Sequence, residues 1–110
     1  MSTDKNLYSG NMTMLILKLL DKKDMYGYEM IETLRTNSND MFELKAGTLY
    51  PLLHTLVKQL YLNCYEKEVN GKIRKYYSLT LQGRKLLQDK TSIWQKYVKT
   101  MASVLELEVD

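Results

Sequence analysis

The sequence predicts a mainly α-helical domain with one small β-hairpin, an α+β fold closed by a long C-terminal helix. Three observations predict it. Apolar residues recur at helical spacing in four separate stretches. Two β-rich runs, residues 62–69 and 73–79, flank Asn70-Gly71, a dipeptide whose residues both tolerate the positive φ of a tight turn. The helix before that hairpin carries an apolar stripe on one side and short polar groups on the other. A helix that can enter a groove, followed directly by a charged hairpin, is the arrangement of a winged helix-turn-helix, which points to nucleic acid rather than to catalysis.

Taken in order, Met12, Leu15, Ile16, Leu19 and Leu20 define a first helix ending near residues 21–24. A second spans about residues 26–36, with Tyr28, Ile31 and Leu34 on one side, and stops at the turn-forming Asn37-Ser38-Asn39-Asp40. Phe42 and Leu44 alternate with Met41 and Glu43, enough for a very short strand. The third helix is expected to begin near Thr48, whose hydroxyl can cap it, with Pro51 in the first turn. Leu49, Leu53, Leu56 and Leu60 form its core stripe. Thr48, Pro51, Thr55 and Lys58 face away, with Tyr50 and His54 on the flank. After the hairpin, Thr80 caps a last helix running from about Leu81 almost to the C-terminus.

That last helix is too apolar to stand alone on a surface. Leu87, Trp94 and Met101 are seven apart, as are Tyr97 and Val104, and Leu86, Ile93, Val98 and Leu105 widen the stripe. Such a stripe must be covered, and a second copy of the same helix is the simplest partner. Packing against the first helix is the alternative. The expected organisation is thus residues 1–80 as the winged helix-turn-helix and residues 81–110 as the dimerisation helix.

Charge supports a polyanion partner. Residues 45–85 hold eight Lys/Arg against two acids, a balance of +6 in a chain of net +3, so the remainder carries −3. That asymmetry concentrates positive potential on one segment and steers an anion toward it. At 110 residues, 45% hydrophobic and 26% charged, the chain is one ordinary globular domain. No stretch approaches the roughly 18 apolar residues of a membrane span, and the polar start, Met1 to Asn6, has no signal-peptide core. A single cysteine, Cys64, excludes a disulfide framework or a thiolate metal cluster, and a cytosolic protein is expected. One histidine and no clustered carboxylates leave no acid-base pair, nucleophile triad or metal site. No glycine-rich phosphate loop signals a nucleotide cofactor, so no cofactor is expected.

The order of Tyr26-Gly27-Tyr28-Glu29, then Gly47-Thr48-Leu49-Tyr50-Pro51-Leu52-Leu53, then Lys75-Tyr76-Tyr77-Ser78-Leu79-Thr80 with Gly83-Arg84 resembles the PadR family of bacterial transcriptional regulators. The resemblance spans about residues 8–90. It implies a homodimer joined through the C-terminal helix that represses by occupying a palindromic operator. The length matches the smaller subfamily, with a single C-terminal helix. Thr55 and Val57 stand where family members often carry an arginine and a glutamate, and Tyr61 where they often carry a glycine.

Candidate site residues follow. Tyr50, at the edge of the core stripe, could simply pack; the resemblance puts this tyrosine at the DNA surface, hydrogen-bonded to a phosphate. Lys45, Thr48 and Lys58 are expected to position the backbone similarly, and His54 and Thr55 to read base edges. Lys72, Arg74 and Lys75 form the wing, touching backbone or minor groove. Tyr76 and Tyr77 alternate, so one faces the core. Tyr26 and Tyr28 are read as structural, Gly27 as allowing close helix approach, and Cys64 as a small apolar group. Leu87, Trp94, Tyr97, Met101 and Val104 are assigned to the dimer interface. Trp94 is an interface anchor or, as in multidrug-responsive members the chain resembles, a stacking platform for a planar aromatic effector. The competing reading is a winged-helix module that binds protein and not DNA.

Overall fold

The computed structural model describes the backbone of residues 5–108 and the side chains of residues 11–108. The polar residues 1–4 and the last two residues lie outside that range. The elements are α1 (Lys5–Lys22), β1 (Met25–Tyr26), α2 (Gly27–Asn37), α3 (Ala46–Lys58), β2 (Leu62–Val69), β3 (Lys72–Leu79) and α4 (Leu81–Val104). The strands form an antiparallel sheet in the order β1-β3-β2. With the three helices before the hairpin, this is the winged-helix architecture that the sequence predicts.

The core is apolar throughout. Ile16 and Leu17 of α1, Met30 and Leu34 of α2, and Leu49, Leu53 and Leu56 of α3 are buried together with Met25, Leu44, Leu62 and Tyr77. Helix α2 turns a slightly different face inward than its apolar spacing implies. Gly27, Met30 and Leu34 are buried, whereas Tyr28 points to solvent with its hydroxyl hydrogen-bonded to Glu32, which pushes its pKa up.

The short strand is Met25–Tyr26, paired with Tyr77 and Tyr76, and not Phe42–Leu44. A strand needs a partner edge, and the free edge of β3 is taken by β1. Leu44 still buries its side chain, so alternation there reports burial without pairing.

Helix α3 starts earlier than expected. Lys45 is its N-cap, with no side-chain cap, and Thr48 lies inside the first turn. Pro51 is therefore the sixth helical residue, where its missing N–H leaves the Gly47 carbonyl without its intrahelical donor. The helix ends in a Schellman arrangement. The Leu60 N–H donates to the Val57 carbonyl (3.0 Å), the Tyr61 N–H donates to that of Leu56 (3.0 Å), and Leu60 takes a left-handed φ of 67°. Leu60 consequently leaves the core stripe and is 64% exposed. A branched residue in this conformation costs about 1 kcal/mol that glycine avoids. Leu60→Gly should raise stability by about 0.5–1 kcal/mol, less the extra chain entropy of glycine. Thermal denaturation at fixed concentration checks this, and a lowered midpoint would mean that Leu60 side-chain contacts outweigh the strain.

The hairpin turns where expected, with φ of 53° at Asn70 and 80° at Gly71 in a two-residue loop. Val69 pairs with Lys72 and Leu62 with Leu79. Thr80 caps α4 as expected, accepting from the Gly83 N–H (2.9 Å), and it also donates to the Leu60 carbonyl (2.7 Å). Arg84 Nε meets Asp21 Oδ1 at 3.2 Å, tying α4 to α1. Leu87 then packs into the core. Its side chain is thus covered within the protomer, as is Ala102 near the far end of α4, whereas Trp94, Tyr97, Met101 and Val104 of the same stripe stay exposed.

Candidate nucleic-acid interface

The outer face of α3 carries the residues that its polarity singled out. Lys45, Thr48, Tyr50, His54, Thr55 and Lys58 are all exposed, while Leu49, Leu53 and Leu56 hold the other side against the core. The Thr55 hydroxyl donates to the Pro51 carbonyl (3.0 Å), as threonine often does inside a helix. Toward a partner it therefore presents its methyl group and an oxygen lone pair, which suits a thymine methyl or a base amino group.

Strand alternation splits the wing. Lys75 lies on the sheet face that looks toward α3, the same face as Cys64 and the buried Tyr77. Tyr50, His54 and Val57 of α3 complete the walls of a cleft of about 270 Å³. The cleft thus places a lysine, a histidine and two phenols side by side between the helix and the hairpin. Cys64, expected as a small buried or half-buried apolar group, is exposed in it. Alternation from Lys75 already implies Tyr77, and strand pairing then implies Cys64; neither was singled out as a site residue.

Arg74 is one residue away and therefore on the opposite face. Its guanidinium lies 4.5 Å from the Tyr26 ring centroid. Tyr26 meets Tyr76 edge-on at 5.5 Å, Tyr65 stacks on Tyr76 at 5.8 Å, and Lys67 Nζ sits 5.2 Å from the Tyr76 ring. The Tyr65 hydroxyl donates to Asp24 Oδ2 (2.6 Å), and the carboxylate pushes the phenol up to about 12. Tyr76 is buried in this way on the outer face, as Tyr77 is on the inner one. Arg74 is thus half-buried in an aromatic cluster on the opposite side of the hairpin from Lys75, so the cations expected to form the wing do not share one face. Lys72 shares the face of Arg74 but sits beside the turn, exposed at the tip.

The other apolar surface is on α4. Trp94 (38% exposed), Tyr97 (53%) and Met101 (39%) lie along it with the exposed Ile93 and Val104. Trp94 and Tyr97 stack with centroids 5.5 Å apart. Beside Trp94, a groove of about 570 Å³ runs between α1 and α4, with Met14, Leu15 and Leu87 in its walls and Asp21 and Arg84 along it. No described helix is long and apolar enough to cross a membrane.

Comparison with known proteins agrees with this architecture. The profile of the "Transcriptional regulator PadR-like family" matches residues 16–89. Among solved structures, a transcriptional regulator from Clostridium thermocellum is similar with a TM-score of 0.81 and 31% identity, over 89% of this chain and 96% of that one. A PadR family transcription regulator from Clostridium difficile R20291 is similar with a TM-score of 0.75 and 33% identity, over 86% and 98% of the two chains. The transcriptional regulator YqjI of Escherichia coli K12 is 31% identical over 73% of this chain, which spans only 37% of that longer protein.

Proposed function

This chain belongs to the PadR-like family of transcriptional regulators, and on that premise we propose that it is a cytoplasmic homodimeric repressor that occupies a palindromic operator. Regulators of this family bind DNA and are not enzymes. The observation that carries the reading is the continuous exposed surface of α3 and Lys75. It joins short polar side chains, able to reach base edges, to cations that meet phosphates. In this reading α3 enters the major groove, and His54 and Thr55 face base edges. Lys45, Thr48, Tyr50, Lys58 and Lys75 hold the backbone, with Lys72 at the tip of the wing. Arg74, committed to Tyr26, supports the hairpin from behind.

The test separates the two wing cations. Lys75→Ala should weaken binding to all duplexes alike and lower the slope of log K against log salt by about 0.9 for each lost phosphate contact. Arg74→Ala should leave that slope near its original value. His54→Ala should change the preference among sequences instead. An unchanged slope in Lys75→Ala would take the DNA away from this side of the hairpin, and a protein-binding winged helix without salt-dependent DNA retention would become the better reading.

Dimerisation is assigned to the exposed apolar face of α4, with Trp94, Tyr97, Met101 and Val104 as its anchors. A two-fold dimer would place two α3 helices for half-sites one helical turn, or a multiple, apart. The groove beside Trp94 supports a planar aromatic effector as inducer. Tyr97 already covers one side of the indole, so the effector would take the other. It could release DNA only by as much as it prefers the DNA-incompetent arrangement. Titrating flat aromatic dyes while following Trp94 fluorescence and operator binding tests this. Quenching without release would leave Trp94 as an interface anchor.

A further inference from the structure

Gly27 and Tyr50 come from different helices and from two separate stretches of sequence, yet they meet. Gly27 is the first residue of α2 and is buried, although Tyr50, on α3, is 47% exposed. A Cβ placed on Gly27 would fall on the Tyr50 hydroxyl and within 2.7 and 2.9 Å of the ring carbons Cζ and Cε1. The three atoms nearest that Cβ all belong to this one phenol. Gly27 therefore opens a slot into which the outer end of Tyr50 is laid, and an alanine there would fill it.

We infer that Gly27 is a positioning residue for DNA binding, acting only through the direction in which it holds the Tyr50 hydroxyl. The inference rests on the proposed phosphate contact of Tyr50. A half-exposed phenol on a helix surface normally samples several orientations, and ordering it on binding costs affinity. The slot removes much of that cost, because the ring lies against the backbone of α2 before any partner arrives. It also links α2 to α3, so the hydroxyl is held relative to both helices of the helix-turn-helix. Because the obstructed atoms are the far end of a side chain rather than backbone, a methyl group at position 27 would turn the phenol outward without unfolding the domain.

The experiment is a four-member cycle of the wild type, Gly27→Ala, Tyr50→Phe and the double variant, measured as dimers on one duplex with active fractions determined by titration. Tyr50→Phe keeps the ring and removes the hydroxyl. One lost hydrogen bond in each half-site should weaken binding about tenfold. Gly27→Ala should show the same loss with a thermal midpoint within a few degrees of wild type, and the double variant should be no weaker than either single one. Since a phenol is neutral, the salt slope should stay unchanged in all four, unlike that of Lys75→Ala. Should Gly27→Ala fold poorly, adding Tyr50→Ala should restore the fold, because it removes the obstructed ring. A Gly27→Ala dimer that binds as wild type while Tyr50→Phe does not would overturn the inference. So would losses that add in the double variant, or instability that Tyr50→Ala fails to repair. Wild-type affinity in Tyr50→Phe would instead overturn the phosphate contact itself, and the inference with it.

Discussion

Replacing Tyr97 and Met101 together with aspartate should convert the proposed dimer into a folded monomer that has lost most of its operator affinity. Both side chains are substantially exposed in the isolated protomer, so the substitutions remove nothing from the core formed by α1, α2 and α3. Two carboxylates facing their copies across a two-fold axis would be desolvated without a partner, which costs several kcal/mol. The monomer would bind one half-site at a time and lose the gain from linked binding, roughly 10²- to 10⁴-fold. Sedimentation reads the mass, circular dichroism the fold, and titration of a two-half-site duplex the affinity. A variant that remains dimeric and binds normally would move the interface off the later turns of α4.

Gly83→Ala should be the most damaging single methyl among the four glycines whose surroundings are described, Gly27, Gly47, Gly71 and Gly83. The new Cβ would land on the Tyr61 carbonyl oxygen, with Leu79 Cδ1 at 2.7 Å and the Tyr61 carbonyl carbon at 3.1 Å. The first obstruction is backbone, at the link between α3 and β2, and it cannot rotate aside. Helix α4 would have to lift at its start, weakening the bonds of Thr80 to Leu60, Tyr61 and Gly83. Overpacking and a weakened cap together should cost about 3 kcal/mol, or a midpoint lower by roughly 10 °C or more. Gly47→Ala is the matched control. A Cβ there would meet nothing within 4 Å, and alanine's better helix propensity should hold or raise the midpoint. Equal midpoints for the two variants would mean that α4 adapts to the added methyl.

These glycines show where reading the chain stops. Gly71 was legible because its demand is local: a two-residue hairpin loop needs positive φ whatever surrounds it, and Asn70 beside it meets the same need. At Gly27 and Gly83 the demand comes from atoms of Tyr50 and Tyr61, 23 and 22 residues away in the chain. Close helix approach at Gly27 could be expected, but not which side chain fills the space. The left-handed end of α3 falls on Leu60 because the helix stops at Lys58, so Leu60, counted in the core stripe by its spacing, lies past the last turn.

The sequence by itself determined the hairpin and its turn, the Thr80 cap, the polar and apolar sides of α3, and the motifs that belong to the family. Each depends on residues a few positions apart, through backbone preference, capping or side-chain periodicity. Only the tertiary structure decided that Met25–Tyr26 and not Phe42–Leu44 joins the sheet, since pairing requires a free edge and β3 offers it there. Only the tertiary structure divided one apolar stripe on α4 between Leu87, buried in the core, and Trp94, Tyr97 and Met101, left exposed. Periodicity says which side chains share a face; which of them find cover depends on where α1 lies and how far along α4 it reaches. Alternation alone puts Arg74 and Lys75 on opposite sides of β3, but folding decided that Tyr26 would hold one and α3 would face the other, because both neighbours arrive from elsewhere in the chain.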